Sequence, residues 1–440
     1  MYTPKDFINH LNIPFEKWML EAVRIANEAG EGANLSDIAN RVSSLPQFTS
    51  HKMRETPCPV YVNLDDTGED VEFLQESKRQ VVETITKLSY LPTIEEAAVM
   101  PDACSAGTIC VGGVVAAKKA IHPAFHSADV CCSMFLTEFE DAIPKDVLDV
   151  AFEETHFGPT KRENSVAMPH ELYLKIQTNP YTKDLLQIAI RDFATQGDGN
   201  HFLFVGIRKS TGNTCVVTHH GSRGFGARVF KKGMKIAQEF AKNIAPKGMD
   251  KSCAWIPTET KEGKDYWEAL QIVREWTYAN HKAIHNLIKW RLELKQVDQF
   301  WNEHNFVFKR GDLYYHAKGA TPGWKDTYDL TLVPMNMAEP ILITRGTEVE
   351  NGIGFLPHGA GRNMSRTMFN KRYPNPSLPE GVDIRSYSGK LDTSELPQAY
   401  KNAQEVRDQM IKYNLAEVVD EITPYGSVMA GHIDKPWEKK

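Results

Sequence analysis

The stretch VMPDACSAGTICVGGVVAAKKAIHPAFHSADVCCSMFL, residues 99–136, is where the chain changes character. It is rich in Gly, Ala, Val, Cys and His, and its apolar runs, such as Ile109 to Val115, are short. Runs of that length between glycines suit buried strands joined by tight turns better than helices. Upstream the pattern is different. Phe15, Trp18, Met19, Ala22 and Ile25 recur at helical spacing, as do Val71, Phe73, Leu74, Val81, Val82 and Ile85. Two amphipathic helices are expected there, over residues 14–30 and 70–90.

Downstream, residues 145–195 read as largely helical. Phe202–Ile207 and Thr214–Thr218 read as strands, with residues 209–213 turning between them. Glu268–Lys295 is the clearest long helix, and Phe306–Tyr315 reads as a hairpin turning at Arg310-Gly311-Asp312. Leu330–Arg345 holds more strands, and Pro397–Tyr413 reads as a helix. This order neither alternates strand with helix nor repeats, which favours an α+β fold over a doubly wound sheet. The expected organisation is a helical N-terminal region over residues 1–95 and one large intertwined domain over 96–440.

Composition is that of a water-soluble globular protein: 440 residues, 41% hydrophobic and 25% charged. The net charge of -6 argues against a basic coat for nonspecific nucleic-acid binding, although a local basic groove is compatible with it. Seven scattered cysteines form no CxxC pair and no disulfide framework, so a reducing cytoplasm is expected. No signal-peptide core and no membrane-length apolar run are read in the chain.

Several segments place metal-ligand residue types beside glycines at apparent strand ends. These are Asp129-Val130-Cys131-Cys132, Gly199-Asn200-His201, Thr218-His219-His220-Gly221-Ser222-Arg223 and Glu303-His304-Asn305. His281 and His285 share a helix face, but the residue after His281 is Lys282 and no HExxH pattern exists. His316 is expected to be structural or substrate-facing. The run His358-Gly359-Ala360-Gly361-Arg362-Asn363-Met364-Ser365-Arg366 combines an imidazole that can attack phosphorus, glycines that admit phosphate oxygens to backbone N–H groups, and two guanidinium forks. Either transfer through a covalent histidine or a solvated Gly-rich turn would account for it.

Taken in order, these segments resemble the RtcB family of RNA ligases. Asp129 and Cys132 match its Asp-x-x-Cys segment. Asn200, His201 and Phe202 match Gly-Asn-His-Phe, and His219 with Gly221 to Gly224 matches His-x-Gly-Ser-Arg-Gly. His304-Asn305, Lys318 to Thr321 and His358 to Arg366 follow, and Met100-Pro101-Asp102 fits an early Met-Pro-Asp. The resemblance implies mixed and antiparallel sheets around a central metal cleft, with helices outside. It implies that Asp129, Cys132, His201, His219 and His304 hold two Mn²⁺ ions, with the Cys132 thiolate between them. Donor softness alone would have suggested zinc, cobalt or iron. His358 would take up a nucleoside monophosphate from GTP, with Asn200, Gly359, Ala360, Gly361 and Arg362 around the nucleotide. Arg223 and Arg366 would neutralise substrate phosphates. The implied reaction joins RNA ends bearing a 2′,3′-cyclic phosphate or 3′-phosphate to 5′-hydroxyl ends. Broken RNA is the implied partner, with an archease-like activator. An end-modifying nucleotidyltransferase or hydrolase without joining activity, and a non-catalytic RNA-binding paralogue, are the alternatives.

The chain departs from the family pattern in places. Cys131 and Ser133 stand where glycines flank the usual cysteine, Cys104 replaces a histidine, and Phe204 replaces a glutamate. Thr344-Arg345-Gly346-Thr347 reads as the replacement for Pro-Gly-Ser-Met-Gly, and the usual Lys-Gly ending is missing. A phenyl ring cannot accept hydrogen bonds from guanine, so weaker guanine selectivity is expected.

Overall fold

The computed structural model describes residues 1–66, 71–158 and 160–432. The chain opens with three short helices, Pro4–Leu11, Trp18–Ala29 and Leu35–Ser43. Their apolar stripes meet in a core of their own, built on Phe7, Trp18, Met19, Ala22, Ile38 and Val42. Asn34 caps the third helix by accepting from the Asp37 N–H. The strand Val60–Val62 and the helix Val71–Ser89 belong elsewhere. Leu64, Val81, Ile85 and Leu88 pack with Ile94, Val99 and Val115 of the following strands. Residues 1–95 thus contribute to two separate cores.

The stretch 99–136 does form strands: Ile94–Cys104, Val111–Lys118 and Ser133–Glu140 are its long elements. The first two join a five-stranded sheet in the order Val60–Val62, Ile94–Cys104, Val111–Lys118, Leu313–Lys318 and Asn305–Arg310. The third joins a larger sheet. Its order is Thr331–Val333, Ile341–Gly346, Ala416–Met429, Phe202–Arg208, Thr214–His220, Ser133–Glu140 and Lys295–Glu303, with Asp383–Ser386 added in parallel to Ala416–Met429. This sheet curls until its edges approach, and the Leu332 N–H donates to Asn302 Oδ1 at 2.8 Å.

Helices cover the outside. The longest, Lys261–Arg291, buries Tyr266, Leu270, Val273, Trp276, Asn280, Ile284 and Ile288, a stripe at intervals of three and four. It starts at Lys261 rather than Glu268 because Thr260 caps it through the Gly263 N–H. In the segment Pro397–Tyr413, only Ala403–Lys412 is α-helical, begun by the Asn402 cap. Two of the long elements carry residues that work against their own patterns. Arg223–Ile244 opens with Gly224 and Gly226, residues of weak helix propensity. Ala416–Met429 carries Pro424 and Gly426, which break a strand pattern; here they sit at a bulge in the pairing with Phe202–Arg208. No helix among the described residues is long and apolar enough to cross a membrane.

Trp276 is fully buried and its indole N–H donates to the Ala189 carbonyl at 3.2 Å. Trp276→Ala is expected to destabilise the protein by about 3–5 kcal/mol, the usual cost of emptying such a site. Equilibrium denaturation in urea measures it; a loss below about 1 kcal/mol would show that this helix is not part of the main core.

Candidate active site

Four neighbouring antiparallel strands bring the candidate ligands to one end of the large sheet. Phe202–Arg208 starts just after His201, and Ser133–Glu140 starts just after Cys132. Thr214–His220 runs the other way and ends at His219 and His220, and Lys295–Glu303 ends just before His304. The register pairs Phe202 with His219, Ser133 with His220 and Ser133 with Glu303. Starts and ends of alternate strands therefore share an edge, and residues far apart in sequence converge there.

Side-chain alternation then sorts the histidines. His219 faces the site, while His220 faces away and stacks on His281 with ring centroids 3.5 Å apart. Thr218 links His281 Nδ1 at 2.7 Å and His285 Nε2 at 2.8 Å, so this pair pins the long helix to the ligand strands rather than facing the site. His122, His126 and His316 are also fully buried. His316 Nε2 accepts from the His122 N–H at 2.9 Å, and His126 pairs with the Tyr266 hydroxyl at 3.0 Å.

On the facing side, Cys132 Sγ lies 3.2 Å from His219 Nε2 and 3.6 Å from His201 Nε2. His219 Nε2 is 3.2 Å from His304 Nε2, and His201 Nε2 is 3.4 Å from Asp129 Oδ2. Two triads result, Cys132-His219-His304 and Asp129-Cys132-His201, each with donor atoms within 4.8 Å of one another. Their shared member is Cys132. Backbone carbonyls set two tautomers: His201 Nδ1 donates to Gln196 O at 2.9 Å and His219 Nδ1 to Asn200 O at 3.1 Å. Both Nε2 lone pairs are left facing the sulfur. Burial lowers the His219 pKa to about 3 and holds His304 well below its ordinary value, so both rings are neutral. Burial, with the nearby Asp129 charge, raises the Cys132 thiol well above its usual range. Converging imidazole lone pairs around one ionisable sulfur form a site suited to cations, which would displace the thiol proton.

His358 stands beside this cluster, its ring centroid 4.8 Å from that of His304. Its Nδ1 donates to Asp102 Oδ2 at 2.5 Å, and its backbone N–H reaches the same oxygen at 3.2 Å. Asp102 is fully buried. Its backbone is braced by the buried Lys401 ammonium, which donates to Pro101 O and Ala103 O at 3.0 and 2.7 Å. His358 Nε2 is thereby left for chemistry. Glycines make room for this arrangement. Gly319 has φ +67°, and a Cβ there would come within 2.9 Å of the His358 ring. Gly361 has φ +72°, and a Cβ there would come within 2.0 Å of the Asp102 carbonyl.

The family profile described as tRNA-splicing ligase RtcB matches residues 145–430. The chain belongs to the RtcB family. A tRNA-splicing ligase RtcB of Archaeoglobus fulgidus is 28% identical over 282 residues, covering 53% of this chain and 58% of that protein. One from Pyrococcus horikoshii is 25% identical over 279 residues, covering 52% of this chain but only 32% of its own length. One from Methanococcus maripaludis aligns over 90% of this chain and 99% of its own length at 23% identity. The alignment thus spans about half or less of the first two relatives. Asp102, Asp129 and Cys132 lie before the matched residues 145–430, and it is geometry that joins them to the rest.

A cavity of about 300 Å³ contains most of the residues that the family resemblance singles out. Asp129, Cys132, Asn200, His219, His304 and His358 to Arg362 line it, as does Arg366. His201 joins it through Asp129 and Cys132. Arg223 is not among the lining residues: its Nη2 donates to Gly158 O at 2.7 Å and its Nε to Thr195 Oγ1 at 3.2 Å. Lys318 is likewise occupied, donating to Ala106 O and Ile109 O at 2.6 and 3.0 Å. Arg362 and Arg366 share the buried carboxylate of Glu395, at 3.1 and 2.6 Å, and Tyr400 donates to it at 2.5 Å. Two cations on one anion leave a net positive charge at the cavity wall.

Sequence reasoning did not assign roles to Asp102, Glu395 or Tyr400. Asp102 had a signal, the one carboxylate in the otherwise apolar run of residues 97–104; Glu395 and Tyr400 had none. One departure is corrected. Pro334-Met335-Asn336-Met337 lines the cavity, whereas Thr344 is buried against Thr331 at 2.7 Å and Gly346 packs on Gly323. The segment expected to take the Pro-Gly-Ser-Met-Gly place is thus a sheet strand. Cys131, where the family has glycine, adopts φ 60° and carries the cost of that left-handed backbone.

Because the Cys132 thiol is protonated at neutral pH while His219 and His304 are neutral, cation binding is expected to release about one proton. Affinity for Mn²⁺ or Zn²⁺ should rise about tenfold per pH unit between pH 6 and 8 and should collapse in Cys132→Ala. Calorimetry in buffers of different ionisation enthalpy measures the proton count; pH-independent binding would contradict the shared-thiolate site.

Proposed function

We propose that this protein is a divalent-metal-dependent RNA ligase that joins 3′-phosphate or 2′,3′-cyclic phosphate ends to 5′-hydroxyl ends. Membership in a family whose named relatives are tRNA-splicing ligases supports it. The observation that carries it is His358, oriented by Asp102 and set beside two donor triads that share Cys132, in one cavity with two arginines.

Asp129, Cys132 and His201 would hold one ion, and Cys132, His219 and His304 the other; manganese is the metal the resemblance implies. Such ions, when bound, screen charge between the phosphates and the attacking groups and favour the departing phosphates. The protein's own residues do the rest. His358 Nε2 attacks the α-phosphorus of a nucleoside triphosphate, the Nε2–P bond forms, and pyrophosphate leaves. Asp102 accepts the Nδ1–H bond throughout and stabilises the ring as positive charge develops on it. Asn200 and the Gly359–Gly361 backbone border the nucleotide, and Arg362 and Arg366 face its phosphates. A 3′-phosphate oxygen of RNA then takes the nucleotide from His358. The 5′-hydroxyl attacks that activated end, and the nucleoside monophosphate departs. Glu395 keeps the two guanidinium groups apart and in register with the cavity, so their net charge is near that of one cation. RNA with broken ends is the partner in this reading, and tRNA repair or splicing its setting.

His358→Ala is expected to abolish covalent labelling by a radiolabelled nucleoside triphosphate while leaving Mn²⁺ binding intact. Asp102→Asn should keep metal binding but slow labelling by about 10²-fold or more, the usual scale of losing a proton-holding partner. Denaturing gels follow the label. Joining of 5′-hydroxyl RNA is scored in parallel; labelling without joining would favour an end-modifying enzyme, and full activity of His358→Ala would refute the histidine route.

A further inference from the structure

The His358 cavity has one wall that the phosphate chemistry does not use. Phe202, Phe204, Met337, Ile341 and Met429 line it, an apolar surface of the size and softness on which a nucleobase lies. Its polar groups are few. Ser427 is 2% exposed, lines the cavity, and its hydroxyl has no hydrogen-bond partner. A buried hydroxyl without a partner is uncommon and marks a place for a ligand atom. Asn336 lines the same cavity; its Oδ1 accepts from the Ala338 N–H at 2.9 Å, so the NH₂ end is the one left to a ligand.

The wall therefore offers hydrogen-bond donors and lacks a free carboxylate. Of the two carboxylates that line the cavity, Asp129 stands among the metal-ligand candidates and Glu395 is taken by Arg362, Arg366 and Tyr400. Guanine presents N1–H and N2–H₂ donors on its Watson–Crick edge and would bury them against phenyl, thioether and methyl groups. Adenine presents N1, N3 and N7 acceptors and a single exocyclic amine. A mostly apolar wall whose only uncommitted polar groups are one hydroxyl and one amide leaves three guanine N–H donors short of acceptors, whereas adenine has only its exocyclic amine to place there.

We propose that the nucleotide accepted by His358 is an adenine nucleotide, selected by Phe204, Ser427 and Asn336. This rests on His358 being the nucleotidyl acceptor. In the step concerned, the His358 Nε2–Pα bond forms, the bond from Pα to the bridging oxygen breaks, and pyrophosphate carries away the electron pair.

The test uses the full chain with Mn²⁺ and α-³²P-labelled ATP, ITP and GTP, with His358→Ala as the blank. ATP is expected to label at least about tenfold faster than GTP at subsaturating concentration, the factor given by one unmade buried hydrogen bond of about 1.4 kcal/mol. ITP, which lacks the 2-amino group, should fall between them. Phe204→Glu restores an acceptor and should shift the ratio towards GTP by about tenfold; the ITP comparison needs no variant and stands if that protein fails to fold. GTP labelling within tenfold of ATP, or faster, overturns the adenine assignment and leaves the histidine route standing. Labelling by no nucleotide overturns both.

Discussion

One sulfur atom organises this protein's functional end. Cys132 Sγ lies 3.2 Å from His219 Nε2 and 3.6 Å from His201 Nε2, on the wall of the cavity. A cation taking the place of the thiol proton there would draw the same donors together and add its binding energy to the stability of the fold. The sheet makes this possible. Four antiparallel strands place their ligand-bearing ends along one edge, and the hydrogen-bond ladder resists their separation. Behind it, His220, His281, His285 and Thr218 form a buried polar layer that ties the long helix to the same strands. The imidazoles facing the site and those facing away thus differ in work, though neighbours in sequence.

The second constraint is the Asp102–His358 pair. Asp102 reaches the site from the small sheet, whereas Cys132, His201 and His219 come from the large one. His304 joins the two: it follows a strand of the large sheet, precedes a strand of the small one, and its N–H donates to Cys132 O at 2.9 Å. His358 and the donor cluster are therefore held by one junction. Their spacing depends on Gly319 and Gly361, where any side chain would displace His358 or Asp102.

Much of the fold was legible because periodicity is local. The helix Val71–Ser89, the strands Phe202–Arg208 and Thr214–His220, and the hairpin turning at Gly311 lie where their patterns put them. The failures have local causes as well. Glycines at the start of Arg223–Ile244 disguised a helix, and Pro424 with Gly426 disguised the longest strand of the large sheet. The five candidate ligands were legible through ordered motifs, and the structure brings them together. Arg223, expected to neutralise a substrate phosphate, is occupied by a protein carbonyl and a threonine hydroxyl.

The amino-acid sequence by itself determined the candidate donor atoms, the imidazole of His358 and the alternation of residues that decides which histidine of a strand faces the site. It could not determine which carboxylate holds His358, that Glu395 neutralises one of two arginines, or that Pro334 to Met337 rather than Thr344 to Thr347 forms the cavity wall. Those facts depend on how two sheets meet. Backbone periodicity is written in neighbouring residues, whereas the meeting of side chains hundreds of residues apart is settled only when the sheets pack.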